Sequence, residues 1–412
     1  MAETSRNRTI LHCDCNSFFA SVETALNPHY KDVPMAVCGS VEDRHGIVLA
    51  KNELAKKYNI QTAETVFSAK KKCPSLVIAK PHYNEYSEYS RRVNEIYARY
   101  TDIIEPFGID ESWLDVTASV KHFGSGEEIA EKIRREVKDE IGITVSIGVS
   151  FNKVFAKLGS DYKKPDAITV ISRENYKNIV FPLKPSEMIF VGKKTEQILN
   201  SLGIKTIADL AATNMQFLVS KLGKAGEQLY LAANGLDDSP VIKPIDDTTK
   251  SISNGFTFCH NLTSCDEWRM AVDFLSEEIG LKLRRHGQKC RTVSISIKDE
   301  FLRVTQHQKP QNPPTDISRE IAKTAFELIS LNWKETLPIR MITVTASNLI
   351  FADTSSEQIE FFDNKSFEKR EKEINIEKAV DKIRQKYGGE SIVSGAIIDS
   401  DIGIYTNKKN KR

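Results

Sequence analysis

Three acidic side chains stand where the sequence predicts that the chain leaves a buried core. Asp14 ends the apolar run TILHC, and Asp110 and Glu111 are adjacent in the hairpin-like stretch IIEPFGIDESWLDVT. Carboxylate oxygens are the hard ligands that Mg2+ prefers, and two such ions about 4 Å apart can hold the attacking and leaving oxygens of a phosphoryl transfer. If the two segments converge, they form a two-metal site. By spacing alone, the commoner interpretation is a solvated pair of surface acids.

The elements that must position these acids predict an α+β arrangement with an antiparallel sheet. Residues 9–15 are typical of a buried strand, and an amphipathic helix follows from about Ser17. Farther along, the pattern predicts a helix over about 84–100, a hairpin over 103–117, a helix over 127–140 and an alternating strand over 143–150.

The second half of the chain changes character. Within 175–240, two similar units join helices through short Gly/Lys turns, which expose backbone N–H groups where a phosphate can bind. A polar linker at 241–250 leads into a β-α-β-β-α-β order typical of a ferredoxin-like domain. Its strands are predicted at about 251–259, 291–298, 301–306 and 339–348, its helices at about 267–286 and 316–332, and a charged helix follows at about 366–387.

Composition sets the limits for this interpretation. A chain of 412 residues is too long for one core and predicts several domains. The net charge of +2 neither requires nor excludes a nucleic-acid partner, and seven cysteines without a C-x-x-C pair argue against a disulfide framework or a structural zinc site. No apolar run is long enough to span a membrane, and the first residues lack a signal-peptide core, so we expect a cytoplasmic protein.

Three sequence blocks carry a resemblance to a known family. HCDCNSFFASVE, GIDESWLDVT and SIGVSFNKVFAKLGSDYKKPDAI resemble, in order and spacing, the signature blocks of Y-family DNA polymerases, the lesion-bypass enzymes of the DinB/UmuC superfamily. The resemblance, closest to the bacterial members, extends over about 8–405. It implies a right-hand polymerase with a palm (1–30 and 81–172), small fingers (31–80), a helix-hairpin-helix-like thumb (173–240), a linker (241–250), a ferredoxin-like little finger (251–350) and a C-terminal tail (351–412).

The resemblance also implies roles for single residues. Asp14, Asp110 and Glu111 match the ligands of two Mg2+ ions, and the backbone carbonyl of Cys15 matches a further ligand. Asp110 and Glu111 also correspond to catalytic residues near the primer 3′-OH. Glu23 and Asp115, in the same blocks, are interpreted as structural supports.

Four side chains match the family's nucleotide contacts. Phe19 matches the steric gate, a ring that excludes a 2′-OH, and Phe18 is its neighbour; simple core packing is the alternative for both, and for Phe18 it is an even one. Lys157 matches a triphosphate contact. Lys56 stands where the family usually has Arg, and Glu53 where it often has Tyr. A solvated helix charge is the alternative for both Lys56 and Lys157, and it has more weight for Lys56.

Expected DNA contacts lie in two places. The turns Val191–Thr195 and Leu222–Gly226 resemble the thumb's hairpins, with Lys193, Lys194 and Lys224 towards the duplex backbone. Plain helix connections and solvated faces are the alternatives. A second basic cluster fits the little finger and makes binding salt-dependent; it consists of Lys282, Arg284, Arg285, Lys289, Arg291 and Lys298.

A short peptide in the tail resembles a clamp-binding motif. Gln358, Phe361 and Phe362 fit the Q-x-x-L-F pattern by which bacterial polymerases hold the sliding clamp. The alternative is that both aromatic rings pack on the protein's own surface.

The function expected from these patterns is error-prone, template-directed DNA synthesis past lesions. The sequence shows no second acidic cluster of the kind that would suggest a proofreading exonuclease. The expected partners are primer-template DNA, dNTP and the sliding clamp, with a monomeric protein. The alternatives are a non-catalytic DNA- or clamp-binding protein on a polymerase scaffold, and another two-metal phosphotransferase such as a nuclease or a nucleotide cyclase.

Overall fold

The structure is a computed structural model that describes residues 8–40, 46–243, 249–334, 336–352, 364–393, 395 and 402–403. These residues form two compact units, the first over 8–39 and 47–243 and the second from 249 onward. None of the helices in the described part of the chain is both long and apolar enough to cross a membrane.

The first unit contains two sheets and a group of helices. Its strands are β1 (Ile10–Cys15), β2 (Met35–Cys38), β3 (Val48–Lys51), β4 (Val77–Ala79), β5 (Ile104–Pro106), β6 (Glu111–Asp115), β7 (Val145–Ser150) and β8 (Ile168–Ile171). Its helices are α1 (Phe18–Leu26), α2 (Glu53–Lys56), α3 (Val66–Lys72), α4 (Tyr83–Tyr97), α5 (Val120–Phe123), α6 (Gly126–Glu136), α7 (Lys153–Tyr162), α8 (Tyr176–Val180), α9 (Lys193–Ser201), α10 (Ile207–Ala212), α11 (Met215–Leu222) and α12 (Lys224–Ala233).

A central five-stranded sheet has the order β5-β6-β1-β7-β8. Strand β1 pairs antiparallel with both β6 and β7, so all six of its residues are buried. Successive side chains of a strand point to opposite faces of the sheet, so the side chains of β1 divide between two faces. Leu11 and Cys13 join the core formed with α4 and α6, whereas Ile10 packs with Ala156 of α7 on the other face.

One strand departs from the predicted antiparallel pattern. Strand β8 runs parallel to β7 and is connected to it through α7. A parallel neighbour requires such a crossover, and a helix is its usual form. The crossover places α7 directly on the sheet.

The remaining parts of the first unit are smaller. Strands β3, β2 and β4 form a three-stranded sheet with its own core of residues such as Ala36, Val48 and Ile60. Helices α8 to α12 pack around Leu199, Leu210 and Leu218. The predicted helical segment after residue 175 is therefore present.

The second unit confirms the predicted β-α-β-β-α-β order. It consists of β9 (Ser251–Leu262), α13 (Cys265–Arg285), β10 (Gln288–Asp299), β11 (Val304–Thr315), α14 (Ser318–Asn332), β12 (Ile339–Phe351) and a further helix α15 (Asn364–Tyr387). Its antiparallel sheet has the order β11-β10-β12-β9. The core includes Trp268 and Leu275 of α13 and Ile321 of α14.

Strand β11 differs most from its predicted bounds, because the prediction ended it at about 306. Three prolines, Pro310, Pro313 and Pro314, lie in the added part. Proline cannot donate a ladder hydrogen bond and is tolerated mainly on edge strands. Since β11 is an edge of this sheet, the strand can continue through these prolines.

Candidate active site

The pairing of β1 with β6 brings the predicted acids together. Asp14 lies directly opposite Glu111 in the register of the two strands. The N–H of Cys15 donates to the carbonyl of Asp110 at 3.0 Å, which fixes the residue just before β6. Ligand atoms of His12, Asp14 and Glu111 lie within 4.8 Å of one another. Two segments almost a hundred residues apart thus converge on one end of the sheet.

Two lysines neutralise this cluster. Lys157 Nζ lies 2.9 Å from Asp14 Oδ2, 2.6 Å from Glu111 Oε2 and 3.2 Å from Asp161 Oδ2. Lys164 Nζ lies 2.7 Å from Asp14 Oδ1 and 2.7 Å from Asp161 Oδ1. The first lysine was predicted as a site residue and the second was not. The signal for Lys164 was its place in the third block, shortly after α7.

A glycine contact sets the position of Lys157. A Cβ at Gly148 of β7 would lie 1.9 Å from the carbonyl oxygen of Ala156, and a Cβ at Gly159 would lie 2.9 Å from the Cα of Gly148. Helix α7 can therefore approach the sheet this closely only because both residues lack a side chain. The close approach lets Lys157 extend over the end of β1.

The pKa values of Asp110 and Glu111 are shifted in opposite directions. Burial, with Asp14 and Glu111 nearby, raises the pKa of Asp110 to about 6. Burial also opposes ionisation of Glu111, but hydrogen bonds with His12 and Lys157 outweigh it and lower its pKa to about 2. Asp110 is therefore mostly ionised at pH 7 and takes up a proton as the pH falls through about 6.

The donor set fits a divalent cation. It offers carboxylate oxygens from Asp14, Asp110 and Glu111, which are the hard ligands that Mg2+ and Mn2+ prefer. The raised pKa of Asp110 reflects burial and the negative charges of Asp14 and Glu111, which a cation would neutralise. Burial raises the pKa of the Cys15 thiol well above its usual range, so the thiol stays protonated.

Two phenylalanines at the start of α1 have different surroundings. Phe18 is only 3% exposed and belongs to the core with Leu11 and Val22, as the structural alternative expects. Phe19 is partly buried and stacks on Tyr86, with ring centroids 4.1 Å apart and an angle of 12° between the planes. Tyr86 Oη in turn donates to Glu23 Oε1 at 2.5 Å. Tyr86 thus packs against the Phe19 ring, and Glu23 holds Tyr86 in place, which is the structural support expected of Glu23.

The two residues that depart from the family's pattern pair with each other. Lys56 Nζ lies 2.5 Å from Glu53 Oε1 within the short helix α2, and both side chains are exposed. Ser17 Oγ lies 3.4 Å from the same carboxylate oxygen. Lys56 therefore compensates the negative charge that Glu53 introduces.

The predicted thumb turns expose backbone and lysines. Gly192 begins α9 without a side-chain cap, and Lys193 and Lys194 are exposed. Gly223 separates α11 from α12 with φ +62, and Lys224 is exposed at the start of α12. Both helix starts leave N–H groups free for an anion, which is the arrangement expected from the sequence.

The basic cluster of the second unit is divided. Arg285 and Arg291 are exposed, and Lys289 is partly buried. Arg284 is instead held by α15: its guanidinium lies 2.6 Å from Asp381 Oδ2 and 2.9 Å from Glu377 Oε2, and it donates to the Asp316 carbonyl at 2.8 Å. The role of Arg284 in DNA binding stays a prediction, and in the structure its guanidinium is paired with these acids. Gln358, Phe361 and Phe362 lie outside the described residues.

Sequence profiles of known families match most of the chain. The impB/mucB/samB family matches residues 13–161, and that family's C-terminal domain matches residues 249–361. Between them, the thumb domain of DNA polymerase-iota matches residues 190–237.

Individual proteins are similar over nearly their full length. DNA polymerase IV of Acetivibrio thermocellus is 45% identical over 392 residues, which cover 95% of this chain and 98% of that protein. DNA polymerase IV of Clostridium kluyveri is 34% identical over 397 residues, covering 95% and 98%. A solved structure of a Y-family DNA polymerase chimera of Dbh and Dpo4 has a TM-score of 0.75 and 25% identity, and covers 83% of this chain and 99% of that one.

Proposed function

Because the chain belongs to the impB/mucB/samB family, the Y family of DNA polymerases, we propose that the acids at the end of β1 and β6 extend a primer along damaged templates. As a member, the protein is a DNA-directed DNA polymerase of the translesion type, and it depends on a divalent metal. The observation that carries the proposed site is the register that sets Asp14 opposite Glu111, with Asp110 adjacent.

We assign the metal to the oxygens gathered there. Asp14, Asp110, Glu111 and the backbone carbonyl of Cys15 would hold two Mg2+ ions, which bring together the 3′-OH and the reacting phosphate and stabilise the charge of the transition state. The chain's own part is to hold these oxygens on two paired strands. Lys157 also places a positive charge beside the site at which phosphate charge develops.

Two lysines serve the incoming triphosphate in this proposal. Lys157 and Lys164 each contact Asp14. A triphosphate carries more negative charge than a carboxylate, so it competes for both ammonium groups when it arrives with its cations. Lys56 has its own partner in Glu53, and it therefore serves as a weaker and more distant contact.

Contacts to primer-template DNA are assigned to the exposed backbone of the two thumb turns, with Lys193, Lys194 and Lys224, and to Arg285, Lys289 and Arg291 of the little finger. We further propose binding of the sliding clamp through Gln358, Phe361 and Phe362, a monomeric state, and action in the cytoplasm, where DNA and dNTP meet.

Primer extension on a lesion-bearing template tests the active site. Asp14→Asn and Glu111→Gln remove a ligand charge while keeping the shape, and each should lower the rate of nucleotide addition about a thousandfold or more. Asp102→Asn is the matched control, because Asp102 is an exposed acid of the same unit. Undiminished synthesis by both ligand variants would refute the assignment. Pyrophosphate release that requires a primed template separates the polymerase from a nuclease or a cyclase.

A further inference from the structure

A buried asparagine follows the candidate metal ligands along the chain, and no step of the proposed chemistry uses it. Asn16 comes directly after β1 and is 5% exposed. Its backbone N–H donates to the Thr144 carbonyl at 2.9 Å, and its own carbonyl accepts from the Ser21 hydroxyl at 2.6 Å. A polar side chain buried in this way is expected to have hydrogen-bond partners of its own.

The side-chain amide of Asn16 joins three segments at one end of the sheet. Nδ2 donates to Ser146 Oγ of β7 at 2.8 Å. Oδ1 accepts from the Thr144 hydroxyl at 3.0 Å and from the backbone N–H of Asp166 at 2.9 Å. Because a backbone N–H can only donate, the atom that faces Asp166 must be the amide oxygen. Asn16 therefore ties the end of β1 to the turn at residues 163–167, which leads from α7 into β8.

Asp166 is fixed in this turn through both its backbone and its side chain. Asn16 accepts its backbone N–H, and the residue has φ +53, in the left-handed region that Asp tolerates better than most residues. Its carboxylate lies 2.7 Å from Arg134 Nη1 and 2.8 Å from Lys138 Nζ. These contacts hold the backbone two residues after Lys164.

Lys164 extends from the same turn to the acids of the site. Its ammonium group lies 2.7 Å from Asp14 Oδ1 and 2.7 Å from Asp161 Oδ1. A lysine side chain loses conformational entropy when a ligand holds it, and a backbone that is already fixed reduces this cost of binding. The contacts at Asp166 therefore limit the space through which the Lys164 ammonium group can move.

We propose that Asn16 and Asp166 are positioning residues for Lys164, which they hold beside Asp14 for contact with the incoming triphosphate. This inference rests on the role of Lys164 as a triphosphate contact in the proposed function. Asn16 needs no contact with the nucleotide in this role, because it acts through the backbone of the turn.

Two other roles of Asn16 lead to different expectations. If the amide only stabilised the fold, its loss would lower the melting temperature and would affect dNTP binding equally with and without Lys164. If Asn16 acted on the ligands that precede it, Asp14 and Cys15, its loss would raise the Mg2+ requirement instead. Affinity for dNTP, metal requirement and stability therefore separate the three roles.

The test combines substitutions of Asn16 and Lys164 in the full chain. Asn16→Leu keeps the approximate volume but removes the amide. Asn16→Asp keeps an acceptor for the Asp166 N–H, and the Ser146 hydroxyl can turn to donate to the second carboxylate oxygen. Lys164→Ala removes the ammonium group, and the double variant Asn16→Leu/Lys164→Ala shows whether the two residues act together. Asp166→Asn keeps the backbone N–H but weakens both ion pairs of this residue.

Asn175→Leu is the matched control. Asn175 is partly buried, and its amide also ties a turn to β8, since Oδ1 accepts from the Ser172 N–H at 2.8 Å and Nδ2 donates to the Val170 carbonyl at 3.1 Å. It follows β8, whereas Asp166 precedes it, so the two residues lie at opposite ends of that strand.

Four measurements are needed for each variant. Single-turnover primer extension gives the dNTP affinity and the maximal rate separately. Binding of dNTP to the protein on a dideoxy-terminated primer-template gives the affinity without a chemical step. The Mg2+ concentration for half-maximal extension reports the metal site, and thermal unfolding reports the fold.

We expect Lys164→Ala to weaken dNTP binding by about 10- to 100-fold, which corresponds to the strength of a hydrogen bond to a charged group. Asn16→Leu should cause a large part of this loss with little change in the Mg2+ requirement, and less than about a twofold further loss in the Lys164→Ala background. Asp166→Asn should give a smaller loss, Asn16→Asp should recover most of the affinity, and Asn175→Leu should affect stability alone.

An equal loss of dNTP affinity from Asn16→Leu in both backgrounds overturns the proposal, as does an Asn16→Leu variant that binds dNTP like the wild type. If Asn16→Leu does not fold, Asp166→Asn with and without Lys164→Ala provides the same comparison. Unchanged dNTP affinity in Lys164→Ala would instead refute the triphosphate role of Lys164 in the proposed function, and the positioning role with it.

Discussion

At the residue scale, the neighbouring acids Asp110 and Glu111 have different environments, which shift their pKa values in opposite directions. Glu111 has two nitrogen partners, His12 and Lys157, and its pKa falls to about 2. Asp110 is buried beside Asp14 and Glu111, and its pKa rises to about 6. One acid is thus kept ionised by the protein, and the other is left to be ionised fully by a cation. Environment, rather than residue type, separates the two.

The raised pKa of Asp110 predicts a conflict between function and stability. Its folded-state pKa of about 6 lies above the ordinary value of 3.8, so the folded protein holds this proton more tightly than the unfolded chain does. The resulting stabilisation is complete below about pH 4 and is lost as the pH rises through 6. Asp110→Asn should therefore stabilise the metal-free protein at pH 8 by about 1–2 kcal/mol, after a discount for partial exposure.

Urea unfolding in a chelator at pH 4.5 and pH 8 measures this effect, and Asp102→Asn serves as the control. At pH 4.5, where the folded wild type is largely protonated at Asp110, the advantage of the Asn variant should be less than half of that at pH 8. A variant that is less stable than the wild type at pH 8 would contradict the electrostatic account. Metal affinity of the wild type should fall as the pH drops below about 6, because protons then compete for Asp110.

The braced ring of Phe19 predicts selectivity for the sugar. Phe19→Ala leaves space where a 2′-OH could fit, and loss of such a contact changes discrimination by about 10- to 200-fold. Ribonucleotide insertion relative to dNTP insertion, measured at single-nucleotide resolution, should rise by that amount. Phe18→Leu is the control, because Phe18 lies in the core and should affect stability instead. Unchanged sugar selectivity in Phe19→Ala would remove this residue from the nucleotide site.

At the element scale, close packing decides where side chains reach. Helix α7 contacts the sheet through Gly148 and Gly159, and this contact brings Lys157 to the acids and Ser160 to His12. In the turn before α9, an unusual backbone conformation brings no close packing. Phe190 has φ +70 and is 81% exposed, so it adopts a left-handed conformation without gaining packing.

This strained position predicts a stabilising substitution. A non-glycine residue in the left-handed region costs about 1–2 kcal/mol, and the extra freedom of glycine in the unfolded chain offsets up to about 1 kcal/mol of that. Phe190→Gly should therefore raise the free energy of unfolding by about 0.5–1 kcal/mol in denaturant titrations. Phe67→Gly provides the opposite control, because Phe67 is also 81% exposed but lies in helix α3, where glycine destabilises by about 1 kcal/mol. The same sign for both variants would refute the conformational argument.

At the scale of the whole molecule, the chain consists of two units with separate cores. The second unit buries its own cluster around Trp268, Leu275 and Ile321. Ion pairs join α15 to both of its core helices, through Arg384 with Glu277 and Arg370 with Glu320. A unit with its own core is expected to fold by itself.

The separate cores predict independent folding of the second unit. A fragment of residues 249–412 should unfold in one cooperative transition, with native-like secondary structure by circular dichroism. Arg384→Ala in that fragment should lower its melting temperature, since it removes the partner of the partly buried Glu277. Leu331→Ala is the exposed control. A fragment that stays unfolded would show that the second unit depends on the first.

The sequence by itself determined the acids, the order of the elements and the family. Alternating and helical periodicity place Asp14 at a strand end and predict the β-α-β-β-α-β unit, since these patterns depend on residues close together along the chain. The predicted bounds of β11 were wrong, and whether a strand can continue through prolines depends on which strand becomes an edge. Partners such as His12 with Glu111 or Lys164 with Asp14 join residues about 100 to 150 positions apart. Only the tertiary structure decided them, because strand register and the approach of α7 set those distances and leave no periodic signal in the sequence.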